Sequence, residues 1–347
     1  MRRGPGRDVV RGLPAASDTP AATSLDGFVP PPRFGTTSFA AYRPAHPSQA
    51  EARDAVADFA RAAAETAAPR RRILPWRRRR EGTGLYLDGG FGVGKTHLLA
   101  AAWHAARLPV RAKSYLSFQE LVYLLGALGR DGARDAFADV ALVCLDEFEL
   151  DDPGNTLMIA TFLREAFARG TSVLTTSNTE PASQGAGRFA ASDFRREIQG
   201  IADRFTVVPI DGPDHRAGAR RGQWTSAAEL ASTVREATGT VVATTGAELT
   251  RALAQLHPIR YGGLLRDADV LVIDGIEPIA DQNDALRFVH FIDKLYDMGV
   301  RLRASGTVPP GAIFDRSYRE GAYAKKHHRC LSRLSELLQE PLAPQRP

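Results

Sequence analysis

The chain has 347 residues, of which 45 are Lys or Arg and 40 are Asp or Glu, giving a formal charge of +5. A 44% hydrophobic content and only two cysteines, Cys144 and Cys330, exclude a disordered tail, a fibre and a disulfide scaffold, and suit a reducing cytosol. No run reaches the roughly 18 apolar residues of a membrane-spanning helix, and the basic excess is local. Residues 70–80 hold seven arginines and no acid, and without them 38 basic residues face 40 acidic ones.

Residues 1–30, rich in Gly, Pro, Ala and Ser and lacking periodicity, read as a disordered lead-in. They carry no apolar run of a secretory signal, and Asp8, Asp18 and Asp26 disfavour a mitochondrial presequence. The spacing predicts a helix over 49–65 behind Ser48 as N-cap, then an exposed arginine loop over 70–80. From Gly84 onward, strands (85–87, 110–115, 140–145, 172–176, 205–210) alternate with helices (95–106, 117–128, 156–168, 192–201). Apolar strands in that alternation predict an α/β fold, a parallel sheet covered by helices on both faces. Further on, helices over 226–238 and 247–256 flank a strand over 240–243. The pattern of the first half then returns: residues 270–274 echo 142–146, and 305–309 echo 177–181, both at an offset of 128. The echo fits a duplication or two βαβ-type units obeying the same physics; if it is a repeat, Gly275 stands for Glu147 and Gly306 for Asn178, and the second copy has lost its chemistry. The expected organisation is a lead-in over 1–30, a core over 31–215 and a C-terminal α/β extension with a helical end over 216–347.

Gly89, Gly90, Phe91, Gly92, Val93, Gly94, Lys95 and Thr96 spell G-x-x-x-x-G-K-[ST] between a strand and a helix, the context of a phosphate loop. Glycines let the backbone wrap phosphates and turn N–H groups inward at a helix N-terminus. Lys95, one of five lysines in the chain, supplies charge for β- and γ-phosphates, and Thr96 a hydroxyl for Mg²⁺. His97, next in the helix, is taken with the nucleotide site. About fifty residues on, an apolar strand ends in Asp146 and Glu147 at the sheet edge where ligands of open α/β sheets bind. There Asp146 would join Thr96 in holding Mg²⁺, and Glu147 would activate the attacking water. Asn178, ending the next strand, is placed to hydrogen-bond the γ-phosphate or its water. These residues imply ATP as substrate. The final helix offers His327 and His328, but adjacent helical residues point about 100° apart, and no Cys or acid completes a zinc set.

Taken together these motifs resemble the ZapE-type, AFG-like AAA+ ATPases, over about residues 29–340. The resemblance extends to Val29, Pro30, Pro31, Pro32, Arg33 and Phe34, to Tyr42, Arg43 and Pro44, and to Leu145 through Phe148. It also takes in Thr176, Ser177 and Asn178, Asp214, His215 and Arg216, Arg287 and Phe288, Asp293 through Asp297, Val308 through Pro310, and Leu331 through Leu334. It implies an ATP-hydrolysing homo-oligomer of the AAA+ type that remodels a protein partner, with the bacterial division ring as the partner to expect. It further implies that Phe39, Tyr42 and Gln49 border the adenine, and that an arginine from a neighbouring subunit reaches the γ-phosphate. Arg204, before the strand over 205–210, holds the usual AAA+ position for that arginine. Arg188 lies in the segment that replaces the family's G-L-Q-R element, where Ala191 takes the place of the family arginine. Two other classes stay open on the residues alone. One is a helicase-loader-like ATP switch that works on nucleic acid through Arg70–Arg80. The other is an adaptor at an anionic membrane surface using the same loop. The expected location is the cytoplasm, at the inner face of the membrane or the division site.

Overall fold

The computed structural model describes residues 9–15, 25–67, 81–150, 153–184, 194–213, 222–236, 239–319 and 323–342. In chain order the elements are β1 (Val9–Arg11), α1 (Pro47–Ala67), β2 (Gly84–Gly89), α2 (Lys95–Ala105), β3 (Lys113–Ser117) and α3 (Phe118–Ala136). They continue with β4 (Leu142–Asp146), α4 (Pro153–Arg169), β5 (Ser172–Ser177), α5 (Arg195–Ala202), β6 (Phe205–Ile210), α6 (Ala227–Glu236) and β7 (Thr240–Thr245). The last are α7 (Gly246–Ala254), α8 (Tyr261–Leu264), β8 (Val270–Ile276), α9 (Gln282–Met298), β9 (Arg301–Gly306) and α10 (Ala324–Gln339). They form two compact units, one drawn from residues 22–30 and 34–217, the other from 1–21, 31–33 and 218–347.

In the first unit the order is β3-β4-β5-β2-β6, with every pair parallel. β4 and β5 are buried along their whole length, as a sheet covered on both faces requires. The register sets Ser117 beside Asp146, Leu145 beside Thr175 and Asp88 beside Ser177, so the carboxyl ends of β2, β4 and β5 line one edge. α1 and α2 share a core with the sheet through Ala52, Val56, Leu98, Leu99 and Leu174. α3 starts on a capping box between Ser117 and Glu120, and its first helical run ends at 128 as expected: Gly129, at φ 65° and ψ 179°, interrupts the helix, and a second run continues to Ala136. The strand expected over 110–115 starts at Lys113; Val110–Ala112, after Pro109, is a single tight 3₁₀ turn.

The second unit is a parallel sheet of order β1-β7-β8-β9 around Leu271, Ile273, Phe291, Ile292 and Leu302. Its first strand corrects the reading of 1–30 as wholly disordered: Val9, Val10 and Arg11 pair with Thr240, Val241 and Val242. The sequence marked β8 and the end of β9 only as an echo of the first half and did not resolve α9; the structure carries that echo further. The Ser117–Glu120 capping box recurs as Thr245–Glu248. The left-handed glycine after α4, Gly170, recurs as Gly299 after α9. The proline turn Pro181–Ser183 recurs as Pro310–Ala312, and α5 behind Phe194 recurs as α10 behind Tyr323. The offset is 128 up to the acid and 129 from Gly170 on, which corrects the pairing at the end of the next strand: Ser305 answers to Thr176, and Thr307, not Gly306, to Asn178. Among the described strands, β2 and β6 have no counterpart in this sheet, and the phosphate loop is missing with β2. The edge of β9 where a counterpart of β2 would pair accepts instead a bond from the Thr225 N–H to the Ala304 carbonyl. α6 then starts directly on a reciprocal cap between Ser226 and Glu229, and the Trp224 indole lies against Gly306 and donates to the Val308 carbonyl.

Candidate functional site

β2 delivers the chain into the glycine loop, and the backbone there needs glycine. Gly92 and Gly94 adopt φ of 71° and 91°, and a Cβ on Gly94 would sit 2.5 Å from the Tyr42 ring. A Cβ on Gly89 would meet the Ile210 carbonyl at 2.2 Å, because β6 runs alongside. Gly94 is the N-cap of α2 and offers no side-chain cap, so the helix opens onto the loop with its first N–H groups. Tyr42, buried, donates its hydroxyl to the Val93 carbonyl at 2.7 Å, and its ring lies 5.3 Å from that of His97. His97 Nε2 is 3.0 Å from the Ser38 carbonyl. Phe39 is half-buried against the same core. The buried Gln49 accepts from the Ala45 and His46 N–H groups, and its Nε2 has no hydrogen-bond partner among the described residues.

The Lys95 ammonium donates to the Gly89 carbonyl at 2.7 Å, the Gly90 carbonyl at 2.6 Å and Asn178 Oδ1 at 2.7 Å. The structure therefore brings together the loop lysine and the Asn at the end of β5, residues 83 apart in sequence. Asp146 is buried at the end of β4. It accepts from the Thr96 hydroxyl at 3.4 Å, the Thr176 hydroxyl at 2.5 Å and the Tyr115 hydroxyl at 3.4 Å. The next residue, Glu147, is half-buried and has φ 58°, a left-handed conformation that costs an L residue about 1–2 kcal/mol. Its N–H donates to Thr176 Oγ1 at 3.0 Å. Behind the two strand ends, the buried Gln184 accepts from the Leu150 N–H and donates to Tyr86 Oη, Ser177 Oγ and the Phe148 carbonyl.

Two neighbours escaped the sequence reading, Tyr115 and Asp88, and Thr176 was marked only as part of the resemblance, with no role at the acid pair. Tyr115 and Thr176 sit inside strands, where spacing marks only an apolar or β-branched position. Asp88 ends β2, and burial, reinforced by the charge of Glu180 and opposed by Lys95, pushes its carboxyl above the usual range. The clue was available in Asp88, an acid immediately before a phosphate loop.

Arg204 stands apart from this cluster. It precedes β6 at the end of the strand away from Ile210, the residue paired with Gly89, and it donates to Glu81 at 3.2 Å on an exposed surface. Arg188, Ala191, the Arg70–Arg80 loop and Asp214 through Arg216 lie outside the described residues.

The donors present fit a nucleotide and a hard cation. A glycine cradle at a helix N-terminus, with a lysine at its mouth, suits a polyphosphate. Asp146 is a buried carboxylate with no cationic side chain paired to it among the described residues, and the Thr96 hydroxyl is beside it. One carboxylate and one hydroxyl are the kind of protein donors Mg²⁺ takes, the rest of its shell being phosphate and water.

The sequence profile of the AFG1-like ATPases matches residues 28–238 and 219–344. The chain belongs to this family. It is 26% identical over 300 residues to the cell division protein ZapE of Escherichia coli K12, covering 74% of this chain and 78% of that one. Among solved structures, the DnaC helicase loader is 20% identical and covers 52% of this chain and 99% of its own, at a TM-score of 0.37. AMPPCP-bound DnaA from Aquifex aeolicus is 15% identical and covers 52% of each chain, at a TM-score of 0.39. The fold is α/β, with parallel sheets flanked by helices. Among the described residues, no helix is long and apolar enough to cross a membrane.

Proposed function

We propose that this protein binds and hydrolyses ATP with Mg²⁺ at the edge formed by β2, β4 and β5, and couples turnover to the remodelling or regulation of a protein partner in bacterial cell division. The observation that carries the reading is the convergence on Lys95: one ammonium spans two phosphate-loop carbonyls and Asn178. Bound ATP offers phosphate oxygens as replacement acceptors for that ammonium, so the same contacts that hold Lys95 aim it at the β- and γ-phosphates. Gly89 through Gly94 cradle the phosphates, with His97 and Tyr42 supporting the loop from outside. Thr96 and Asp146 hold Mg²⁺, which neutralises charge on the phosphate oxygens when bound. Glu147 accepts the proton of the attacking water, and Asn178 orients that water or the γ-phosphate.

Membership of the AFG1-like ATPases supports ATP chemistry, and the relative named a cell division protein supports the division setting. The protein works in the cytoplasm, at the division site, as a homo-oligomer in which Arg204 or Arg188 of a neighbouring copy completes the site. The deciding experiment compares Lys95→Ala with Glu147→Gln. Lys95→Ala is expected to abolish ATP binding, because the phosphate charge is left uncompensated. Glu147→Gln is expected to bind ATP normally and nearly stop turnover, and then to retain the protein partner in a pull-down with ATP. Parental hydrolysis by Glu147→Gln removes Glu147 as the base, and near-normal ATP affinity in Lys95→Ala removes the site itself.

A further inference from the structure

The acid pair at the end of β4 is shaped by a side chain on the neighbouring strand. Thr176 is 2% exposed, and its hydroxyl makes two bonds of opposite sense: it donates to Asp146 Oδ1 and accepts from the Glu147 N–H. A hydroxyl is a single oxygen that can both donate and accept, so it can bridge a carboxylate to the next residue's amide. The bridge closes around a backbone that turns left-handed at Glu147, where a non-glycine residue is uncommon. Strain of that kind persists only where surrounding bonds over-determine it.

The second unit supplies an independent instance. At the end of β8 the Ser305 hydroxyl donates to Asp274 Oδ1 at 2.6 Å and accepts from the Gly275 N–H at 2.8 Å, and Gly275 has φ 71°. Carboxylate, hydroxyl, amide and left-handed turn are all repeated with no phosphate loop nearby in the unit. Two conclusions follow. The turn is a property of the hydroxyl bridge, because it forms without nucleotide-binding residues. And where no chemistry is done, the turn carries glycine, the residue that adopts it without strain. In the first unit the same turn carries a glutamate, so a strained backbone is kept there for the sake of its side chain.

We propose that Thr176 is a positioning residue for ATP hydrolysis: its hydroxyl sets the left-handed turn that aims the Glu147 carboxylate. The inference rests on the reading of Glu147 as the base. Thr176→Val keeps the shape of the side chain and removes both bonds. The Glu147 amide then loses its acceptor, the turn relaxes toward ordinary φ, and the carboxylate moves off the water. Thr176→Ser retains the oxygen and loses only a methyl group.

The test measures steady-state ATPase kinetics for the parent, Thr176→Val, Thr176→Ser and Glu147→Gln, with Thr176→Ala as a second hydroxyl-free variant should valine prevent folding. Loss of an outer residue that orients a site typically costs 10–100-fold, so Thr176→Val should lower kcat by about that factor with little change in KM for ATP. Thr176→Ser should restore most of the rate. A parental kcat in the hydroxyl-free variants overturns the proposal. So does an equal loss in Thr176→Ser, which would assign the effect to packing, or recovery of Thr176→Val at raised Mg²⁺, which would assign it to Asp146. Parental turnover in Glu147→Gln is a separate failure, that of the base itself, and is read from its own arm.

Discussion

Replacing Arg204 with alanine separates two roles that differ by orders of magnitude. β6 rises about 3.3 Å per residue, so Arg204, before Phe205, lies roughly 20 Å along the strand from Ile210, which pairs with Gly89. Arg204 therefore cannot serve the phosphate loop of its own unit, and any role in hydrolysis is exercised on a neighbouring copy. Its bond to Glu81 joins two exposed side chains, and an exposed ion pair is worth about 0.2–1 kcal/mol. An arginine reaching a γ-phosphate contributes on the order of 10³-fold or more to turnover. The assay compares ATP turnover and ATP binding for Arg204→Ala, Glu81→Ala and Arg188→Ala. If Arg204 is the shared arginine, Arg204→Ala loses turnover by that factor with binding intact, and Glu81→Ala stays near the parent. Mixing Arg204→Ala with Lys95→Ala copies should then restore part of the rate, because each supplies what the other lacks. The reasoning is refuted if Arg204→Ala and Glu81→Ala behave alike while Arg188→Ala is also active, or if specific activity survives dilution to monomers.

Gly94→Ala should abolish nucleotide binding, because it forces a Cβ into φ 91° and against Tyr42, whereas Gly90→Ala, with nothing within 4 Å, should leave the thermal unfolding midpoint unchanged. Burial, reinforced by Lys326 and Arg329 and opposed by Asp293, holds the His290 imidazole down to about 4. Its contribution is complete above the unfolded value near 6.5 and is lost as pH falls toward 4, so urea titrations should show stability falling between pH 7 and 5, and His290→Gln should remove about 2 kcal/mol of that fall, with His257 and His327, also held down by burial, keeping the rest. Asp274→Asn should leave ATP turnover and a stoichiometry of one nucleotide per chain unaltered, and a second nucleotide lost with Asp274→Asn would refute the reading of the second unit as inactive.

The elements around the phosphates were legible because phosphate binding leaves marks in local sequence. A glycine loop needs glycine at fixed offsets, and a buried parallel strand needs an unbroken apolar run, so β2, β4, β5 and the helix after the loop stand where spacing placed them. What escaped depends on register across strands. Nothing local says that Thr176 lies opposite the step from Asp146 to Glu147, or that Tyr115 reaches the same carboxylate, because each partner is about thirty residues away. β1 escaped for a related reason. Three residues in a Gly- and Pro-rich stretch carry no period, and only the open edge of β7 makes them a strand.

The second unit shows which features of the acid-bearing half belong to folding and which to chemistry. The capping box, the left-handed glycine after the helix, the proline turn and the hydroxyl bridge each satisfy backbone groups, and each is present in both units. The glutamate, the asparagine and the glycine loop satisfy no backbone group that the fold needs, and each is replaced. At the start of α6 the Glu229 carboxylate accepts the Ser226 N–H, and this bond together with the one to the Ser226 hydroxyl holds Glu229 below the usual carboxylate range. A helix N-terminus that opens onto a glycine loop is an anion site, and one closed by its own carboxylate is already occupied by charge of the same sign as phosphate. Where the Gly94 cap leaves the start of α2 open onto the glycine loop, the Ser226 cap with Glu229 three residues on closes the start of α6 on itself, and Trp224 fills the space over Gly306.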